Sequence, residues 1–205
     1  KVVVATIGGV EATQRDTITV GPGAAATATS QVTAVPSSIT TDGSSVVTVQ
    51  LRDAGGNDLT ASGGTVALAT TLGSLGPVTD LGNGRYTATF TTTTTGTATV
   101  TATLNGTAIA DDAVIIVGVG GAAAATTQIV AAPTSITTDG TSTVTVTLRD
   151  AGGNPIGASG GTIVLATTLG ALGAVTDNAD GTYTATLTAT APGTATITGT
   201  LNGAP

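Results

Sequence analysis

One segment of eight residues occurs twice in the chain, and this repeat constrains the fold more than any other feature. Pro36 to Gly43 reads Pro-Ser-Ser-Ile-Thr-Thr-Asp-Gly, and Pro133 to Gly140 reads Pro-Thr-Ser-Ile-Thr-Thr-Asp-Gly. The two prolines set a period of 97 residues (133 − 36), which holds without a gap from Ala25 to Pro205. Because roughly two-thirds of the aligned pairs are identical, the pattern indicates a tandem array of one structural unit of ordinary domain size.

The phase of the repeat divides the chain into three parts. Ile18 to Gly21 aligns with Ile115 to Gly118, so residues 1–22 are interpreted as the C-terminal strand or strands of a preceding unit. Residues 28–118 are predicted to be a complete unit. Residues 125–205 are predicted to be a unit that lacks its final strand. These ends are compatible with a continuing array, which the unbroken period favours, or with subunits that exchange a strand in a polymer.

Within each unit the apolar residues recur at every second position, which is typical of β-strands with one buried face. The residues predicted to face the cores are Val47, Val49, Leu51, Tyr86, Ala88, Phe90, Ala98, Val100, Ala102 and Leu104, with their counterparts 97 residues later. Turn sequences such as Asp42-Gly43 and Asn83-Gly84 separate these runs, and no helical stripe is present. The pattern predicts an all-β chain of tandem antiparallel β-sandwiches.

Charge and composition exclude several classes of function. The net charge is −7 and Lys1 is the only lysine, whereas nucleic-acid binding needs clustered basic residues. No apolar run approaches the roughly 18 residues that a membrane-spanning helix requires, so no membrane insertion is expected in this segment. The chain contains no His and no Cys, which removes the usual general base and thiol nucleophile. We therefore predict that the chain is not an enzyme, with no catalytic, cofactor-binding or metal-binding residues assigned.

Acidic residues in the turns leave one alternative open. Asp42, Asp53, Asn57 and Asp80 could supply oxygen ligands to Ca²⁺ where loops meet, although Asx turns explain each of them without a metal. The adjacent pair Asp111-Asp112 is interpreted as part of a solvated loop between strands. No cofactor is predicted, and calcium is the only one kept as an alternative.

Two further features concern contacts between units or chains. Ala122 to Ala125 follows a glycine-rich connector, and these small side chains would allow consecutive units either to pack closely or to pivot. Val114 and Ile116 place apolar residues on the outer face of the last strand of the complete unit. Another unit or chain could cover them, although scattered exposed apolar residues are common.

The sequences of the turns and strands resemble a known family. Asp53-Ala-Gly-Gly-Asn57, Gly64-Thr-Val-Ala-Leu68, Asp80-Leu-Gly-Asn-Gly-Arg-Tyr86 and Gly96-Thr-Ala-Thr-Val-Thr-Ala are similar to the bacterial immunoglobulin-like (Ig-like) repeats of the invasin and intimin family. The resemblance covers almost the whole chain, and Asp150-Ala-Gly-Gly-Asn154-Pro155 matches the pattern more closely than the first copy.

The resemblance implies tandem Ig-like β-sandwiches on a bacterial cell surface. The expected function is a structural spacer or shaft in a large extracellular adhesin or filament, with neighbouring Ig-like units of the same chain as partners. One alternative is a filament subunit in which identical chains polymerise by strand complementation, through residues 16–20 of a neighbour. A further alternative is a glycan- or protein-binding adhesin domain, which the scarcity of aromatic residues disfavours.

Overall fold

The computed structural model describes residues 2–3, 6–11 and 16–205, and every regular element in these ranges is a β-strand. Side chains are described at positions 6, 8–10 and 18–205. Within these ranges there is no helix of the length and hydrophobicity needed to cross a membrane.

Four two-residue strands precede the first full unit. They are β1 (Val2–Val3), β2 (Thr6–Ile7), β3 (Val10–Glu11) and β4 (Asp16–Thr17). β1 pairs with β4 and β2 with β3, both antiparallel. Val2 lies opposite Thr17, and 97 residues later Thr99 lies opposite Val114. The described pairs therefore have the register of the last two strands of the unit that follows.

Nine strands between Ala25 and Gly118 form the first unit. They are β5 (Ala25–Val35), β6 (Ser38–Thr40), β7 (Ser44–Asp53), β8 (Val66–Thr70), β9 (Ser74–Leu75), β10 (Thr79–Asp80), β11 (Arg85–Thr91), β12 (Gly96–Leu104) and β13 (Thr107–Gly118). One sheet has the order β10-β11-β7-β5, with β9 also on β11, and the other has the order β6-β13-β12-β8. All pairs are antiparallel except β6 with β13, which is parallel. The unit is an Ig-like β-sandwich, as the sequence predicts.

The core of the first unit lies between the two sheets and contains the residues expected from the alternation. Val49, Leu51, Phe90 and Val100 have no exposed surface, and the other predicted inner residues are also buried. On β7 the neighbouring positions are partly or fully exposed, with Val46 at 47 percent. The prediction of the inner faces is therefore confirmed for this unit.

One local prediction is wrong. Asp111 and Asp112 lie within β13 rather than in a loop. They fall where the ladder between β12 and β13 shifts register, between Thr101 and Thr103. The backbone N–H of Val32, on β5, donates to Asp111 Oδ2 at 2.9 Å. This hydrogen bond links β13, next to its bulge, to β5 of the other sheet.

The second unit repeats the same order of strands, but its described residues contain no counterparts of β6 and β13. Its strands are β14 (Gln128–Ala132), β15 (Thr141–Thr147), β16 (Ile163–Thr167), β17 (Ala171–Leu172), β18 (Thr176–Asp177), β19 (Thr182–Thr188) and β20 (Ile197–Leu201). One sheet has the order β14-β15-β19-β17, with β18 also on β19, and the other contains β16 and β20. Ala195 and Ile197 are partly exposed, whereas their counterparts Ala98 and Val100 are fully buried. The inner face of this unit is therefore partly open.

Candidate functional site at the junction of the two units

The first unit meets the second at a buried carboxylate. We call Asp150–Asn154 the opening turn of the second unit, and Asp53–Asn57 is the opening turn of the first. Asp150 is 1 percent exposed although it carries a charge. A buried charge is tolerated only when hydrogen bonds replace the water that it has lost, so the partners of this side chain define the site.

The donors to Asp150 come from three parts of the chain. Within its own turn, Oδ1 accepts from the backbone N–H groups of Gly152 and Asn154 at 3.0 and 2.8 Å, and the Asn154 amide donates to both oxygens at 2.9 Å. From the first unit, the Thr41 hydroxyl donates to Oδ2 at 2.6 Å. The connector between the units is residues 119–127. From it, the Gly120 N–H donates to Oδ2 at 3.2 Å.

Hydrogen bonding governs the charge state of this group. Burial by itself would raise the pKa of Asp150, but the hydrogen bonds from Thr41, Asn154 and Gly120 outweigh it and hold the pKa well below its ordinary value. The carboxylate is therefore ionised at neutral pH. Because N–H and O–H groups surround both of its oxygens, this carboxylate is arranged as a hydrogen-bond acceptor.

Thr41 is held in position by the last strand of its own unit. Its backbone N–H donates to the carbonyl of Gly118, at the end of β13, at 3.0 Å. Its hydroxyl also accepts from the Gly120 N–H at 2.9 Å, and the residue is 8 percent exposed. The turn after β6 and the end of β13 together therefore present the hydroxyl to the second unit.

Two further contacts join the units away from Asp150. The Asn154 amide donates to the backbone carbonyl of Thr93 at 2.9 Å, and a Cβ added at Gly152 would overlap that same carbonyl oxygen. Asp42 Oδ2 accepts from the N–H of Gly121 at 3.3 Å. The junction thus uses two separate turns of the first unit, one after β6 and one after β11.

The connector is hydrogen-bonded to the second unit. Ala122 bridges to Asp150, and the Ala123 N–H donates to the Arg149 carbonyl at 2.8 Å. Ala122 and Ala124 pack against the core of the second unit. These small side chains therefore pack within the second unit.

The opening turn of the first unit has the same internal geometry. Asp53 accepts from the N–H groups of Gly55 and Asn57, both at 2.9 Å, and from the N–H of Gly23 at 2.8 Å. The Gly23 N–H, followed by the side chain and backbone of Asn57, lowers the pKa of Asp53 to about 2. Gly23 corresponds to Gly120, so the contact from the connector N–H to the carboxylate is present in both turns.

The four residues proposed as calcium ligands are not brought together. Asp53 and Asn57 share the opening turn, Asp42 lies near the far end of β7, and Asp80 accepts from the Gly82 N–H in a separate turn at 2.8 Å. No group of three or more acidic residues in the described ranges is placed to hold a metal ion. The structure instead places Asp42 near Asp150 of the next unit. A calcium site stays a prediction.

The junction contains residues that the sequence interpretation did not assign to it. Thr41, Thr93 and Gly152 were not identified as contacts between units. A signal was present, because the Thr-Thr-Asp-Gly and Asp-Ala-Gly-Gly-Asn turns are identical in both copies while nearby outer-face strand positions such as Val46 and Thr143 differ. These two turns lie at opposite ends of a unit. A contact between consecutive units would therefore keep both of them the same in each copy.

A second feature is a groove in the second unit, at the position that β13 fills in the first. It has a volume of about 550 Å³, and the apolar residues along it include Pro133, Ile136, Leu169, Leu187, Ala195 and Ile197. Ile136 is partly exposed, whereas its counterpart Ile39 is 9 percent exposed and adjoins β13 in the first unit. The groove is thus the open edge of the sandwich core. On β13 itself, Val114 and Ile116 are 49 and 58 percent exposed.

Comparison with known proteins agrees with the fold. A family model described as invasin, domain 3, matches residues 26–119 and again residues 123–205. The chain is similar to the crystal structure of invasin, a bacterial integrin-binding protein, with 30 percent identity and a TM-score of 0.53 over 98 percent of the chain and 42 percent of that structure. It is also similar to FdeC, an Escherichia coli adhesin, with 25 percent identity and a TM-score of 0.56 over 98 percent of the chain and 69 percent of that structure.

A Yersinia pseudotuberculosis adhesin, InvE, shares the fold at 22 percent identity and a TM-score of 0.50, over 87 percent of the chain and 60 percent of that structure. The chain spans less than half the length of the invasin structure that it matches. The family model matches twice, once over each unit. This chain therefore belongs to the invasin domain 3 family of bacterial Ig-like domains.

Proposed function

We propose that the chain is a spacer segment, or shaft, of a bacterial surface adhesin. The observation that carries this proposal is the end-to-end junction of the two units. β7 runs from the turn that contains Thr41 to the opening turn at Asp53, and its ten residues span roughly 33 Å at about 3.3 Å per residue. Since the second unit is attached at the Thr41 end, each unit adds its long dimension to the length of the chain.

The burial of the aromatic residues supports a spacer over a ligand-binding domain. The chain has two Tyr, one Phe and no Trp. Tyr86 and Tyr183 are each 3 percent exposed, and Phe90 has no exposed surface. Binding hot spots for proteins are enriched in Tyr and Trp, so the surface of this chain lacks their usual anchors. The role that we propose is accordingly non-enzymatic and mechanical.

The bacterial cell surface is the proposed location. The family contains invasin, and FdeC and InvE are adhesins, so an extracellular position follows by relationship. A shaft of this kind would hold other parts of an adhesin away from the cell.

Surface display tests the spacer proposal directly. The chain would be inserted between an outer-membrane anchor and an epitope in zero, one or two copies, and the height of the epitope above the membrane would be measured by super-resolution fluorescence. We expect the height to increase by about 6.6 nm per copy, from two units of roughly 33 Å each. A height that does not change with copy number would contradict the proposal. Saturable binding of the soluble chain to a glycan array or to cultured cells would favour a binding domain instead.

The second candidate is a filament subunit that polymerises by strand complementation, supported by the correspondence between residues 16–20 and the end of β13. In this proposal residues 16–20 of a second copy occupy the groove, where they would take the position of β13. Ile18 and Val20 correspond to Ile115 and Val117, which are buried in β13. The strand would first have to leave its own pairing, since Asp16 lies opposite Val3 within the same chain.

Deletion of residues 1–20 separates this candidate from the spacer. We expect polymers seen by electron microscopy to disappear on deletion if a strand of a second copy fills the groove. Polymers that persist after the deletion would exclude the candidate.

A further inference from the structure

We propose that the contacts around Asp150 form a clasp that fixes the angle between consecutive units. The clasp joins the opening turn of one unit to the Thr41 and Thr93 turns of the unit before it. The inference rests on the proposed spacer function, to which it adds the site that makes the shaft stiff. The opening turn recognises the end of a preceding Ig-like unit. That end must offer a threonine hydroxyl to Asp150 and a backbone carbonyl to Asn154.

The first step of the argument is the charge of Asp150. No cationic side chain bonds to this carboxylate in the described structure, since the guanidinium of Arg149 donates to the Gly153 carbonyl and to Gln128. Two of the donors, the Thr41 hydroxyl and the Gly120 N–H, lie outside the second unit. Hydrogen bonds to a charged acceptor are stronger than those between neutral groups, so docking is favoured where both donors reach the carboxylate. Rotation away from this position would remove them.

The second step is that the units are attached at more than one point. A single hydrogen bond would leave rotation about the connector open. Here Asp150 is held at the turn after β6, and Asn154 is held at the Thr93 carbonyl in the turn after β11. Two attachments from different turns restrict both tilting and twisting of the second unit.

The third step is the space at Gly152. A Cβ at this position would overlap the Thr93 carbonyl oxygen of the first unit. At the equivalent Gly55, a Cβ would meet only atoms of its own turn, at 3.1 Å from Asn57 and 3.3 Å from Asp53. The same glycine is therefore tightly packed where a unit is docked and much less so in the other copy. The chain thus supplies its own matched control.

The fourth step concerns the counterpart of Thr41 in the second unit. In the first unit the Thr41 N–H is bonded to the end of β13. The second unit has no described strand in that position, and there the Asp139 N–H donates to the Ala189 carbonyl with φ of Asp139 at 67°. The turn therefore has a different conformation. The arrangement around Thr41 is therefore not a property of the turn sequence alone, since Thr-Thr-Asp-Gly is the same in both units.

Distance measurements between two spin labels test the proposal. The chain has no Cys, so Thr89→Cys and Thr186→Cys would place one label at the same exposed position of each unit. Pulsed electron paramagnetic resonance would then give the distribution of distances between the units. We expect a single narrow distribution in the otherwise unchanged chain, and a distribution at least twice as wide in both Thr41→Val and Gly152→Ala.

The controls use the same substitutions in the other copy. Thr138→Val and Gly55→Ala should leave the width unchanged, because neither residue contacts the neighbouring unit. Thr41→Ser keeps the hydroxyl and should retain the narrow distribution. Hydrogen exchange would verify that the second unit stays folded in each variant. Broadening together with loss of protection in that unit would count against the clasp, because the effect would then be one of folding.

Two outcomes would overturn the proposal. One is a broad distribution in the chain that carries only the labels, which would indicate a free pivot. The other is equal broadening in the test variants and in their controls. Either result could occur while the epitope height still rises with copy number, so the clasp can fail without the spacer function failing.

Discussion

Asp53 and Asp150 are at corresponding positions, and their low pKa values make the fold sensitive to acid. The hydrogen bond from Gly23, followed by those from Asn57, lowers the pKa of Asp53 to about 2. In an unfolded chain the pKa of Asp is about 3.9. A carboxylate with a depressed pKa in the folded state stabilises that state above its unfolded pKa. This contribution is lost as the pH falls through the folded pKa.

We therefore expect the thermal unfolding midpoint to fall as the pH is lowered from about 4 to about 2, as measured by circular dichroism. Asp53→Asn should make this dependence shallower, because the amide side chain does not titrate. A midpoint that is independent of pH in this window, or an unchanged slope in the variant, would contradict the assignment.

Tyr86 is a buried residue whose hydroxyl joins a strand to a loop. It donates to the Gly64 carbonyl at 2.7 Å and accepts from the Gly63 N–H at 3.2 Å, and Tyr183 makes the same two bonds in the second unit. Tyr86→Phe leaves both backbone groups without this partner. We expect a loss of about 1–2 kcal/mol in the free energy of unfolding, measured with urea. A change below about 0.5 kcal/mol would indicate that water replaces the hydroxyl.

The strand β13 closes the first sandwich. Two adjacent isoleucines lie on its buried face and on its exposed face. Ile115 has no exposed surface and Ile116 is 58 percent exposed. Ile115→Ala should reduce the free energy of unfolding by about 2–5 kcal/mol, because it leaves a cavity in the core. Ile116→Ala is the control and should change it by less than about 0.5 kcal/mol. Hydrogen exchange measured by peptide would assign the loss to the first unit, and equal effects of the two substitutions would contradict this orientation of β13.

At the scale of elements, the alternation of apolar residues was sufficient to predict which strand faces are buried in the first unit. Val47, Val49 and Leu51 illustrate this, because side chains two residues apart lie on the same face. The position of Asp111 was mispredicted because Asp is depleted in strands. At a bulge the ladder is interrupted, and a hydrogen bond from Val32 on another strand makes the residue favourable there.

At the scale of the whole molecule, the repeat was sufficient to predict tandem β-sandwiches. The contact between them could not be derived from it. Thr41 and Asp150 are 109 residues apart and belong to different units, and each is a small polar residue in a turn. An Asx turn by itself would account for an aspartate at this position, and only the docked structure adds the hydroxyl from the first unit.

Independent units in series should also respond to force one at a time. In a chain pulled from its two ends, each unit of roughly 90 residues should release about 30 nm of contour length, from an extended reach of about 3.3–3.6 Å per residue.

Single-molecule force extension is the measurement that tests the central claim most directly. The account predicts two separate unfolding events of similar length, with one of them removed when residues 125–205 are deleted. A single event that releases both units together, or an extension without discrete events, would contradict a shaft built from Ig-like units in series.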